Sequence, residues 1–318
     1  MGKNLAIAVV GGTASAVLYL ATLADIPAAL ILTYLAILPL VAVGLGWGFI
    51  GAAIGVASAV VLIALAASAH VAIVFAIAHG APAAIAIWLS LRSRARTDGA
   101  IAWYPPGPLV SWLAVYACGS LTLLALLGGD SGIEEAVAQI EAVMMSVVPV
   151  DQNPQVAILI RVIAGFFPAI VMVSWLVMAL VNLSLAQGAL ERFRHNLRPR
   201  PAFATIALPA WYTAVTVGVA AVALIARALD LDTVGFIARN AALALLLPHF
   251  LVGLAVVHVW TRQWSARTAI LAGFYLLLLV FGWLAILAVA ALGFMEQWLF
   301  FRRRSAGGTS QEDEQCWK

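Results

Sequence analysis

Charge is what this chain has least of. Only 10% of its 318 residues are Asp, Glu, Lys or Arg, while 64% are hydrophobic; a soluble domain carries about a quarter charged. A water-soluble fold of this size leaves much of its surface exposed and cannot hide so much apolar side chain. The solvent must therefore be lipid. Cysteine is scarce as well: Cys118 lies in an apolar run and Cys316 near the end, which excludes a disulfide framework and a Cys-based metal site. The histidines supply no substitute, because His70 and His79, like His249 and His258, stand nine apart and not the three or four that align ligands on one helix face. GxSxG, Walker and HExxH sequences are all missing. No enzyme, catalytic residue, metal or cofactor is expected. No carboxylate pair stands within an apolar run, so the usual relay of a proton-coupled carrier is missing. The arginines gather in short loops, a pattern that reports orientation in a bilayer and not nucleic-acid binding.

What is present is a series of long apolar runs. A spanning helix needs about 20 mainly apolar residues, and nine runs qualify: roughly 5–24, 28–47, 48–68, 71–91, 108–127, 156–186, 204–229, 239–260 and 268–294. The expected fold is all-α, a polytopic helical membrane protein with eight or nine transmembrane helices. A single integral membrane domain would fill 1–304, with a disordered polar tail at 305–318. The first run follows one Lys3 without a clear cleavage site, so it reads as a span.

Orientation follows the basic loops. "RSRARTD" (Arg92, Arg94, Arg96) and "ERFRHNLRPRP" (Arg192, Arg194, Arg198, Arg200) should both be cytoplasmic. Between them, "GGDSGIEEAVAQIEAVMMSVVPVDQNP" carries Asp130, Glu134, Glu135, Glu141 and Asp151 and no basic residue, and should face outward. Both counts of intervening runs are even, which places the N-terminus in the cytoplasm of a bacterial inner membrane. Three further runs would then leave Arg302, Arg303 and Arg304 outside, against the rule; alternatively "LGFMEQWLFFRRR" is an interfacial helix. Within the acidic stretch, Ile133, Val137, Ile140, Met144 and Val147 recur every three or four residues. They predict an amphipathic outer helix over about 132–148.

Glycine punctuates the oiliest part, "LPLVAVGLGWGFIGAAIG". Helices in lipid associate through close backbone approach, which small residues permit. Ala8, Gly12 and Ala16 form one small-residue stripe, and Gly51, Gly55 and Ala59 a second. These faces serve helix packing or the docking of a partner membrane protein. Gly44, Gly46 and Gly48 are expected to form a turn between two spans.

Ionisable or amide groups within spans are costly and mark candidate sites. His70, His79, Arg161 and His249 are the substrate-binding candidates, joined by Asn182 and His258 as further polar groups in apolar runs. His79 and His249 each lie beside a proline, so each either bonds a carbonyl freed by the kink or handles a substrate. Arg161 is expected to pair with a loop carboxylate or a lipid headgroup, or else to bind an anion. Arg227 and Arg239 should snorkel beside Asp230 and Asp232, Asp25 should be a solvated turn residue, and Trp103 and Tyr104 should join an interfacial belt.

The stretch "AILPLVAVGLGWGFIGAAIGVASAVV", after a first helix with small residues at every fourth position, resembles the S-components of energy-coupling-factor transporters. The resemblance implies an S-component-like bundle in the N-terminal part. It also implies a small-molecule ligand and separate coupling and ATPase subunits as partners. The endings "LLLPHFLVGLAVVHVW" and "LGFMEQWLFFRRR", with Leu292, Gly293, Glu296, Trp298 and Arg302–Arg304, are similar to those of the YybS-like bacterial integral membrane proteins. Two functions follow: a substrate-binding or transport component without its own ATPase, or a membrane scaffold that binds other membrane proteins through its small-residue faces.

Overall fold

In the computed structural model, residues 2–23, 28–148, 154–299 and 301–302 are described. The expectations for Asp25, Asp151, Arg303, Arg304 and the 305–318 tail with Cys316 fall outside them. The chain gathers into two compact units. One holds Met1–Leu113 and Leu176–Ile206, the other Ala114–Trp175 and Ala207–Ala306.

The first unit opens with α1 (Gly2–Leu20), α2 (Ala28–Tyr34), α3 (Ile37–Trp47), α4 (Phe49–Ala66), α5 (Ala69–Phe75) and α6 (Ala81–Ser90). A small antiparallel hairpin follows, β1 (Ser93–Ala95) with β2 (Ile101–Trp103), Arg94 opposite Ala102. The long helices α7 (Pro106–Val147) and α8 (Pro154–Arg192) come next, then α9 (Ala210–Ala228), α10 (Asp232–Trp260), α11 (Arg267–Phe281) and α12 (Trp283–Leu299). Among the described residues, seven helical stretches are long and apolar enough to cross a membrane, and Ile31–Trp47, Arg267–Phe281 and Trp283–Leu299 are shorter apolar helices. The protein is an all-α polytopic membrane protein. Its many exposed Leu, Val and Ile side chains suit a surface bathed in lipid.

Glycine decides how the helices meet. On α1, Ala8, Gly11, Gly12, Ser15 and Ala16 are buried, and on α4 Ala52, Gly55, Ala59 and Ile63. A Cβ on Gly12 would collide with the Gly55 carbonyl and the Ser58 hydroxyl, and one on Gly55 would sit 3.2 Å from the Ala8 carbonyl. The two backbones therefore run against each other with no room for a methyl group. Gly51 is half-buried beside Val43 and Trp47. Gly44 and Gly46 correct the expected turn: both are helical within α3, where their missing side chains admit Ile87 and Leu190. Gly48 alone makes the turn, at φ 94°, a left-handed conformation that glycine adopts without Cβ strain.

A second glycine changes the reading of the C-terminal run. The apolar stretch 268–294 is continuous in sequence, yet Gly282, at φ 51°, splits it into α11 and α12. Tyr275 of α11 lies 3.3 Å from His258 near the end of α10. Then α12 runs with α10: Gly293 lies against the His249 backbone, and Phe301 meets Trp260 with ring centroids 5.6 Å apart. Gln297 reaches the Leu208 carbonyl before α9 at 3.5 Å. Arg302 therefore lies at the end of the second unit where α9 begins and α10 finishes.

In α7, Gly129 (φ 63°, ψ −170°) separates the apolar part from the acidic stretch. Beyond it, Ile133, Val137, Ile140 and Met144 are half-buried while Glu134 and Glu135 are exposed. That is the amphipathic helix expected there, except that Val147 is exposed.

The α1–α4 contact predicts a sharp asymmetry between glycines. Gly12→Leu should cost about 3 kcal/mol or more through overpacking, seen as a collapse of the thermal unfolding temperature in detergent. Gly119→Ala, where nothing lies within 4 Å of an added Cβ, should leave that temperature unchanged.

Candidate functional site

The polar groups of the spans gather where helices are broken. Pro39 has no N–H, and its ring conflicts with a helical carbonyl four residues earlier, at Leu35. The chain answers with a tight turn between α2 and α3: Leu35 N–H donates to Leu32 O, Ala36 N–H to Thr33 O and Leu38 N–H to Leu35 O, each at 3.0 Å. With Leu38 diverted, the Tyr34 carbonyl needs a donor from elsewhere. Asn182 Nδ2 of α8 supplies it at 2.7 Å, and the Ser15 hydroxyl of α1 donates to the Ala36 carbonyl.

His79 approaches the same break from another side. It belongs to a widened π turn, Ala76–Gly80, ahead of Pro82; such turns are frequent at functional sites. Its ring is 6% exposed, stacks on Phe75 at 5.5 Å and meets the edge of Tyr19 at 5.1 Å. The Thr33 backbone lies near its ring. Neither ring nitrogen of His79, nor Oδ1 of the 1% exposed Asn182, has a hydrogen-bond partner among the described residues.

In the second unit, breaks are closed more completely. Pro168 lies inside α8, and the fully buried Asn240 inserts its amide there. Oδ1 accepts from Ala169 N–H at 3.0 Å, and Nδ2 donates to Gly165 O at 3.1 Å and Phe236 O at 2.9 Å. Asn240 thus replaces one rung of the helix ladder. Near Pro248 of α10, the Tyr212 hydroxyl donates to Leu245 O at 2.9 Å. The His249 ring does not bond that carbonyl. His249, fully buried, has Nε2 3.3 Å from the Thr216 hydroxyl and packs between Tyr212 and Phe294, while Nδ1 has no partner. Two residues further along α12, buried Glu296 holds Arg302 at 2.8 Å through Oε1.

The remaining candidates lie elsewhere. His70 is exposed on the first turn of α5. Arg161 is exposed on α8 and pairs with Glu141 at 3.7 Å, a surface contact of little energetic weight. Arg239 places its guanidinium 5.2 Å from the rings of both Phe166 and Phe236. His258 bonds the Leu254 carbonyl at 2.8 Å.

A family model described as "Predicted membrane protein (DUF2232)" matches residues 13–296. The chain belongs to this family. No curated protein and no solved structure matches it. The matched span takes in the α2–α3 break, both buried histidines and Glu296, so these features lie within the family's own fold.

Asn240 was missed by inspection of the sequence; the signal was Pro168, whose helix needed a remote amide. Asn240→Leu should strand the buried Ala169 N–H, while the Gly165 carbonyl keeps Arg239 as a donor at 3.4 Å, a loss of roughly 1–3 kcal/mol. Thermal unfolding followed by tryptophan fluorescence would register it as a large downward shift.

Proposed function

We propose that the protein is the ligand-binding component of a membrane transporter, that it has no ATPase of its own, and that it takes a small polar molecule at the break between α2 and α3. One observation carries this reading: three polar atoms without partners, both His79 ring nitrogens and Asn182 Oδ1, border two consecutive residues, Thr33 and Tyr34, of an interrupted helix. Discontinuous helices within bilayers are a recurring device of transporters, because freed backbone groups can serve a ligand there. Half-satisfied polar groups at such depth are costly and mark function more often than stability. A neutral imidazole offers one donor and one acceptor, and the amide oxygen a further acceptor. The ligand therefore carries at least one hydrogen-bond donor.

The resemblance of the N-terminal half to S-components and of the ending to YybS-like proteins agrees with this role, and implies separate coupling and ATPase subunits. The scaffold alternative needs small-residue faces that are free, whereas Gly12 and Gly55 are spent on each other. The reading includes no chemical step. It places the N-terminus and both arginine-rich loops in the cytoplasm of a bacterial inner membrane.

Native mass spectrometry of gently extracted protein should reveal a small-molecule adduct. His79→Phe, which keeps the stack on Phe75, and Asn182→Leu should each lower its occupancy at least tenfold in protein that still elutes as a folded species. A wild-type protein without adduct but with a stoichiometric protein partner would replace this reading by the scaffold. Orientation is checked separately, with Cys118 and Cys316 changed to Ser. An impermeant thiol reagent on intact cells should label Glu134→Cys and reach Thr97→Cys only after permeabilisation.

A further inference from the structure

We infer that the basic face of the first unit, built from the β-hairpin and the segment following α8, is a docking surface for the headgroups of anionic phospholipids. The inference stands apart from the ligand site proposed above.

Two stretches distant in sequence make this face, and Arg198 holds them together. Its Nη1 donates to Ser90 O at the end of α6 at 2.9 Å, its Nη2 reaches Tyr104 O after β2 at 3.4 Å, and its guanidinium lies 5.9 Å from the Trp103 ring. Gln187 and Asn196 both donate to its carbonyl at 2.9 Å. Tyr104 N–H in turn donates to Arg92 O at 2.9 Å. Leu197 N–H bonds Leu45 O at 3.1 Å, and His195 stacks on Trp47 at 5.7 Å. Burial lowers the affinity of the Arg198 guanidinium for its proton, yet an arginine stays charged because its ordinary value lies above 12. Its partners are carbonyl oxygens and a ring, so its positive charge adds to the face.

Around this clamp, Arg92, Arg94, Arg192, Arg194 and Arg200 are exposed. Acidic residues offset little of this: Asp98 is engaged by Arg96 at 3.5 Å, and Glu191 is the other. Exposed apolar side chains alternate with the arginines, Phe193 at 70%, Ile101 at 62% and Phe203 at 47%. They lie where α6 and α8 end and α7 begins, the boundary between hydrocarbon and water. Arginines for phosphate beside Phe and Ile for the acyl boundary are the composition of an interfacial lipid-binding surface. A purely polar acidic partner would leave those apolar side chains unused.

The test uses the intact purified protein, equal amounts of phosphatidylglycerol and phosphatidylcholine, and native mass spectrometry of bound lipid. The wild type should prefer phosphatidylglycerol, and added salt should weaken the preference. Each arginine at such a surface is worth about fivefold in affinity, so Arg94→Gln, Arg194→Gln and Arg200→Gln combined should lower phosphatidylglycerol binding roughly a hundredfold. These side chains are exposed, so thermal unfolding should change by only a few degrees. Arg227→Gln, outside this face, should have no effect on lipid preference. Equal binding of both lipids by the wild type, or an unchanged preference in the triple variant, would overturn the inference. So would an acidic protein that binds through these three arginines while lipid preference stays the same.

Discussion

A bilayer offers no water to a backbone group that loses its helical partner. Everything distinctive in this protein follows from how it meets that constraint at its prolines. Pro39, Pro168 and Pro248 each disturb a helix, and beside each a side chain from another helix reaches in: Asn182 to the Tyr34 carbonyl, Asn240 to Ala169 and Gly165, and Tyr212 to the Leu245 carbonyl. These bonds serve local satisfaction and long-range packing together. A helix pair that loses such a contact loses its register and leaves an unsolvated dipole.

The same constraint separates structural polar groups from candidates for function. Asn240 uses both ends of its amide on backbone, and the Tyr212 hydroxyl is tied to a carbonyl. His79 and Asn182 leave polar atoms without partners at the α2–α3 break. His249 is intermediate, with one nitrogen on Thr216 and the other unmatched. A fully satisfied network rigidifies a fold, whereas a partly satisfied one retains capacity for another molecule.

Glycine meets a second need. With little hydrophobic drive between helices in lipid, close backbone contact supplies association. Gly12 against Gly55, and Gly293 against Gly253 and His249, are places where two helix backbones leave no room for a Cβ. At the ends of the spans the arrangement changes from apolar contact to cation–π and carbonyl contacts made by arginine, as at Arg198 and Arg239.

Much of this was legible in the residues. Apolar runs of spanning length identify an all-α membrane protein. The period-four small residues mark the α1–α4 seam, and the period of Ile133, Val137, Ile140 and Met144 marks the amphipathic helix. These are local patterns, and a helix in lipid obeys its local pattern because backbone groups have no other way to be satisfied. Tertiary structure decided what depended on a partner far along the chain. Gly44 and Gly46 look like a turn but accommodate Ile87 and Leu190 within a helix, and only Gly48 turns. Gly282 divides a continuous apolar run, since φ there is positive, and so redirects the basic C-terminal end. Which amide answers which proline, and which histidine is left unanswered, depends on distances between helices that no single helix encodes.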